Sequence, residues 1–215
     1  MPALTVEIWS DVVCPWCYVG KRRFEKALAG FEHRADVDVV WRSFELDPYA
    51  PREREGSPAE HLARKYGMTV EQAESTNAQM TELAASEGLE YHLDHTRGGN
   101  SFDAHRLIQL AAEHGLQEAM QERLFRAYFT EGEPIGEPDA LARLAAELDL
   151  DPAPLRDGTA YADAVRADEE LAARIGIRGV PFFVLDRRYG VSGAQPSELL
   201  LEALEKAWEA RVAPA

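Results

Sequence analysis

Cys14 and Cys17 are the two cysteines of the chain, in the run Ser10-Asp-Val-Val-Cys14-Pro15-Trp16-Cys17-Tyr18. Residues three apart on a helix lie about 5–6 Å from each other, inside the Cα separation that a disulfide tolerates. Such a pair can alternate between dithiol and disulfide with little movement of the backbone. The same spacing is also half of a tetrahedral zinc site, which needs two further ligands. No third cysteine exists, and His92 and His95, although suitably spaced, lie far along the chain beside Tyr91 and Leu93. An inert buried pair is the other alternative. Position weighs toward redox chemistry, because Cys14 stands where a helix is expected to begin. There, unpaired N–H groups and the positive end of the helix dipole favour a thiolate at lower pH than in a free cysteine. Cys14 is then the expected attacking thiol, and Cys17, one turn inside and less exposed, the expected resolving thiol.

The elements that must hold this pair are legible on either side of it. Leu4, Val6 and Ile8 alternate with Thr5, Glu7 and Trp9 as in a strand, and a second alternating run extends from Asp36 to Phe44. Between them Cys17, Phe24, Ala27, Leu28 and Phe31 recur at helical spacing up to Gly30, where the helix is expected to end. A crossover of this length implies a right-handed βαβ unit with parallel strands. From Leu46 to about Ala160 the period changes to 3.6 residues. Ser57-Pro58-Ala59-Glu60 and Thr69-Val70-Glu71-Gln72 read as capping boxes, with Gly67 and Gly88 closing the two helices they open. Further helices are expected over 102–114, 117–130 and 138–148. A helix over 160–175 then leads to a strand at Phe182–Asp186, a turn at Arg187–Gly190 and a short strand from Val191. A last helix follows Pro196, with Leu199, Leu200, Ala203, Leu204 and Ala207 on its buried face. The reading is an α/β domain of residues 1–45 and 161–215, interrupted by an all-helical domain of residues 46–160.

A second signal lies in Gly176-Ile-Arg-Gly179-Val180-Pro181-Phe182-Phe183, which puts a proline at the first residue of a strand. With Cys-Pro-x-Cys after the first strand and a helical block inserted between, this resembles the DsbA family of thioredoxin-like proteins. The resemblance extends to the FrnE-like, cytoplasmic branch through Ser10-Asp11, Gly20-Lys-Arg-Arg23, Asn100-Ser-Phe-Asp-Ala-His105-Arg106 and Ser192-Gly-Ala-Gln195. It implies a thioredoxin-like fold with a helical insertion, Cys14 as nucleophile and Cys17 as resolving thiol. It further implies that Pro181 is a cis-proline packed against the cysteines and that Val180 offers backbone groups to an extended substrate. Pro15 and Trp16, between the cysteines, complete the expected substrate-binding set of Pro15, Trp16, Val180 and Pro181, and tune the redox potential.

Weaker candidates surround this core. Lys21, Arg22 and Arg23 could favour a thiolate or attract an anionic thiol, as could Arg178. Glu7 is the nearest upstream carboxylate and could relay a proton to Cys17. Asn100 and His105 read as residues that satisfy a helix start. Thirty-eight acidic against 23 basic residues give a formal charge of -15, which repels phosphate backbones and anionic lipid, so neither nucleic acid nor membrane is an expected partner. The N-terminal residues alternate rather than forming an apolar leader, and no apolar run reaches about 18 residues, so a cytoplasmic location is expected. The expected activity is thiol/disulfide exchange on protein or small-molecule substrates, with no tightly bound cofactor or metal and with glutathione as a possible redox partner. Two alternatives stand beside it. One is a glutathione-dependent isomerase or transferase of the 2-hydroxychromene-2-carboxylate isomerase or kappa type, relatives in which serine usually stands where Cys14 does. The other is a chaperone-like binding module without catalysis.

Overall fold

The computed structural model describes residues 3–156 and 158–212. Its elements run β1 (Leu4–Ser10), α1 (Pro15–Gly30), β2 (Val37–Ser43), α2 (Pro58–Tyr66), α3 (Val70–Ser86), α4 (Phe102–Glu113), α5 (Gln117–Phe129), α6 (Pro138–Ala146), α7 (Ala162–Arg174), β3 (Phe182–Leu185), β4 (Tyr189–Ser192) and α8 (Ser197–Val212). Contacts divide the chain into two compact units, Met1–Leu46 with Ala167–Ala215, and Asp47–Arg166. The architecture is mixed α/β, and the first unit carries its sheet. Among the described residues no helix is long and apolar enough to cross a membrane.

The sheet order is β2-β1-β3-β4. Strand β1 pairs in parallel with β2, from Leu4 opposite Val37 to Ser10 opposite Ser43. On its other edge it pairs antiparallel with β3, from Val6 opposite Leu185 to Trp9 opposite Phe182. Both faces of β1 are covered. Leu4, Val6 and Ile8 pack with Phe24, Ala27 and Phe31 from the α1 side and with Leu200, Leu204 and Ala207 of α8, while Trp9 packs on the opposite face with Ala172, Ile177 and Val184. The period of α8 is as expected, but Leu199 is 41% exposed. Positions 200, 204 and 207 set the buried stripe, and residue 199 falls about 100° away from residue 200.

Helix α1 ends at Gly30 as expected, and the chain leaves through Phe31 in an extended conformation. One local detail differs from the sequence reading: the β3–β4 connection is tighter than expected, so that β4 begins at Tyr189. Asp186 and Arg187 have φ of 52° and 55°, and Arg188 N–H donates to Leu185 O at 3.0 Å. Left-handed backbone at two successive residues is the geometry of a hairpin turn that usually shows itself through glycine; glycine is absent from both positions.

Beneath the sheet two buried carboxylates, Glu7 and Asp168, are linked through arginines that reach toward solvent. Glu7, on the Trp9 face, accepts from Arg42 Nη2 at 2.6 Å and from Arg187 Nε at 3.2 Å. Arg42 Nη1 reaches Asp168 Oδ1 at 2.9 Å, and Asp168 Oδ2 accepts the Ser43 N–H at 3.0 Å. Burial alone would raise the pKa of Glu7, but the donors and charges of Arg42 and Arg187 outweigh it and leave the carboxyl below its ordinary value. A depressed folded-state pKa means that Glu7 stabilises the fold above the unfolded value, and that this contribution is lost as pH falls through the folded one. Glu7→Gln should cost about 2 kcal/mol at neutral pH, less than the roughly 3–5 kcal/mol of a wholly buried pair, because Arg42 is half-buried and keeps Asp168. Denaturant titrations should find this cost shrinking in acid; a cost constant down to acid pH would mean that the charge of Glu7 contributes nothing.

Candidate functional site

The turn between β1 and α1 is built by Asp11, which is fully buried. Its Oδ1 accepts the Val13 N–H at 3.3 Å and its Oδ2 the Leu46 N–H at 2.7 Å, while its carbonyl accepts the Cys14 N–H at 3.0 Å. Asp11 thus ties the approach to the motif to the chain leaving β2. Its use was not legible in the sequence beyond an Asp two residues before a turn amide, the usual signal of an Asx turn. Cys14 then takes the N-cap position in an extended conformation, with Pro15 at the first helical residue, where a proline's missing N–H costs nothing. The first turn of α1 holds no carboxylate to compete for the helix N-terminus.

Both cysteines are buried, Cys14 at 4% exposure and Cys17 at 1%. The order is the expected one, but Cys14 is more enclosed than a helix-start position alone implies. The loop before β3 explains it. The Cys14 thiol donates to the Val180 carbonyl at 3.7 Å, and the Val180–Pro181 peptide bond is cis. Beside them Trp16 is 47% exposed, Pro15 and Val180 are half-buried and Pro181 is buried. The four residues expected to meet substrate therefore fall into two groups. Pro15 and Trp16 ride on α1, and Val180 and Pro181 stand in the opposing loop. Burial pushes the Cys17 thiol well above the ordinary cysteine value, and the neighbouring Cys14 pushes it further.

The wall opposite the cysteines is held from two sides. Gly20 on α1 faces Pro181 so closely that a Cβ at this position would lie 2.8 Å from Pro181 Cγ. On the other side the Gly193 N–H donates to Pro181 O at 2.8 Å, and Arg23 Nη1 donates to Ala194 O at 2.6 Å. Gly20 and the Ser192–Gln195 stretch are thus packing partners of the motif, recognisable in the sequence only as parts of a familiar pattern.

The weaker candidates are placed differently. Lys21 is buried and pairs with Glu25 Oε1, Arg22 Nη1 pairs with Glu25 Oε2 at 2.8 Å and stacks over Tyr18, and Arg178 is exposed. Glu7 lies on the sheet face opposite to the one α1 packs against, committed to Arg42 and Arg187. That corrects the expectation of a proton relay to Cys17: alternation put Glu7 on the Trp9 face, and α1 covers the other. In the helical unit Asn100 Oδ1 accepts the Phe102 N–H at 2.9 Å at the start of α4, where His105 is buried. His92 and His95 pair with Glu90 and Asp94, and among the described residues no group of three or more His, Cys, Asp and Glu could hold a metal ion.

Residues 5–205 match the model of the DSBA-like thioredoxin domain. The chain belongs to that family. The uncharacterized protein YwbO of Bacillus subtilis is 30% identical over 185 residues, 84% of this chain and 86% of that one. The structure of a probable DsbA oxidoreductase from Streptomyces coelicolor superposes with a TM-score of 0.93 at 48% identity, covering 99% of this chain and 93% of the other. The cytosolic disulfide reductase DsbM of Pseudomonas aeruginosa, solved with GSH, shares the fold at a TM-score of 0.66 and 21% identity, over 96% of this chain and 100% of that one.

The approach of Gly20 to Pro181 is testable by sign. In an exposed helix Gly→Ala stabilises by about 0.5–1 kcal/mol. Here the new methyl must displace a proline ring, an overpacking cost of about 1–3 kcal/mol. Gly20→Ala should therefore lower the unfolding free energy by about 1 kcal/mol net, read as a lower denaturant midpoint at unchanged slope. A rise in stability would show that the wall has room to retreat.

Proposed function

We propose that this DsbA-like protein is a dithiol/disulfide oxidoreductase in which Cys14 attacks and Cys17 resolves. The observation that carries the reading is the seat of Cys14, at the open N-terminus of α1 and against the Val180 carbonyl beside Pro181. Membership of the DsbA-like family and the likeness to the Streptomyces coelicolor protein support it. In the dithiol form the Cys14 thiolate attacks a substrate disulfide R–S–S–R′, forming Cys14–S–S–R and releasing R′S⁻, which takes up a proton. Cys17, held protonated at neutral pH by its burial, is a poor competitor for that first attack. Loss of the Cys14 proton also frees the Val180 carbonyl to accept an N–H from an extended peptide, while exposed Trp16 offers an apolar surface to the substrate. Glutathione suits the role of redox partner as a small thiol; DsbM, which shares the fold, was solved with it.

Retention of both thiols separates this reading from a glutathione-dependent isomerase. With a peptide disulfide as substrate, Cys17→Ser should accumulate a mixed disulfide that a reductant releases, and Cys14→Ser should accumulate none. Mass spectrometry of the quenched mixture reads the adduct. Each variant should also lose turnover by about a hundredfold or more. Adduct formation through Cys17 in the Cys14→Ser variant, or full turnover without Cys17, would defeat the assignment.

A further inference from the structure

Gly20 and Arg23 stand three residues apart on one face of α1, and both meet the segment that follows β4. A Cβ at Gly20 would lie 2.8 Å from Pro181 Cγ and 3.5 Å from Ala194 Cβ, so the helix touches the proline and this segment together. Arg23, half-buried, donates from Nη1 to Ala194 O at 2.6 Å. The segment is tied within itself: the Gln195 N–H donates to Gly193 O at 2.9 Å, and Gln195 Nε2 to Ser192 O at 2.8 Å. Gly193 has φ of 81°, a backbone that suits glycine, and its N–H donates to Pro181 O at 2.8 Å.

The proline loop has few anchors of its own. The Ile177 N–H donates to Ala172 O at 2.9 Å, and the next backbone–backbone bond along the loop is the one that Pro181 accepts from Gly193. Among the described residues Arg178, Gly179 and Val180 make none between these two points. The Val180 carbonyl, which accepts from the Cys14 thiol at 3.7 Å, therefore takes its position from Pro181. Pro181 in turn takes its position from Gly193, and the segment holding Gly193 is fastened to α1 by Arg23.

We propose that Arg23 is a positioning residue for peptide substrates: by fastening the Ser192–Gln195 segment to α1 it holds Pro181, and with it the Val180 carbonyl, where an extended peptide pairs beside Cys14. The inference rests on the oxidoreductase reading above, and adds to it a residue that acts through the backbone of the loop rather than on a sulfur. A guanidinium suits this task. A charged donor makes a hydrogen bond roughly twice as strong as a neutral one, and the planar fork of arginine loses less freedom per bond than a lysine ammonium does. A loop held in place before the peptide arrives does not subtract the cost of its ordering from the affinity.

The test compares Arg23→Met, which keeps the apolar stem, with Arg23→Lys, which keeps a charged donor. Each is assayed with a peptide disulfide and with hydroxyethyl disulfide, which has no peptide groups to pair with the loop. Arg23→Met should raise KM for the peptide about tenfold, the lower end of what one hydrogen bond to a charged group is worth, with a smaller change in kcat. Its loss in kcat/KM should be about tenfold greater for the peptide than for hydroxyethyl disulfide. Arg23→Lys should recover most of the peptide KM. Should Arg23→Met not fold, Arg23→Gln, uncharged and shorter, takes its place with the same expectation. Equal losses on the two substrates, a native KM for the peptide, or a loss confined to kcat would overturn the role of Arg23. Failure of the oxidoreductase reading would show separately, with Arg23 intact, as the absence of any mixed disulfide in Cys17→Ser.

Discussion

The position of β1 between β2 and β3 is the constraint on which the site depends. Its parallel pairing with β2 carries α1 across one face of the sheet, and its antiparallel pairing with β3 starts that strand beside the end of β1. Trp9 lies opposite Phe182, so the residues just beyond the end of β1 and those just before β3 converge. Cys14 and Val180 meet at that convergence. Neither the cysteine turn nor the proline loop could place the other without this shared edge. The close approach of Gly20 to Pro181 and the bond from Arg23 to Ala194 then hold the convergence from the helix side.

A strand so placed has no solvent face, and the chain pays for this with buried polar groups. Glu7 lies beneath the sheet and is satisfied by arginines from β2 and from the β3–β4 turn, while Asp168 receives both Arg42 and the backbone of Ser43. A buried pair of this kind adds little net stability over an apolar core, but losing one partner is costly. Its effect is on register. Arg42 is fixed opposite Trp9 in the β1–β2 ladder and must also reach Glu7 and Asp168; a slip of one residue would turn its side chain to the other face.

What the sequence reveals of this arrangement follows the range of each interaction. Capping boxes at Ser57 with Glu60 and at Thr69 with Gln72 form with both reciprocal bonds, because each spans only four consecutive residues. The cysteine motif is equally local, and its place at a helix start follows from the alternation before it and the helical period after it. Gly20 is different. A glycine inside a helix is uninformative until Pro181 is known to lie against it, and only the folded sheet brings the two together. Asp11 with Leu46 and Arg23 with Ala194 share that long range. Leu199 and Glu7 illustrate another limit, since periodicity sorts residues onto faces without naming what covers each face. The early start of β4 was hidden because Asp186 and Arg187 adopt a backbone that neither residue type announces.

The chain carries an excess of acid, yet three cationic residues follow the motif. Long-range charge was a natural candidate for activating the thiols, but Lys21 and Arg22 are engaged by Glu25, and Arg23 is engaged by a backbone carbonyl. Paired charges present little net field to a sulfur several ångströms away, and what remains at the surface is screened by salt. The difference between the two cysteines lies in their immediate surroundings: a helix N-terminus and the Val180 carbonyl at Cys14, and deeper burial at Cys17. These surroundings are set by the Val180–Pro181 loop on one side and by the backbone of the β1–α1 turn on the other. A buried Asp11, anchored to the amides of Val13 and Leu46, is what keeps that turn still.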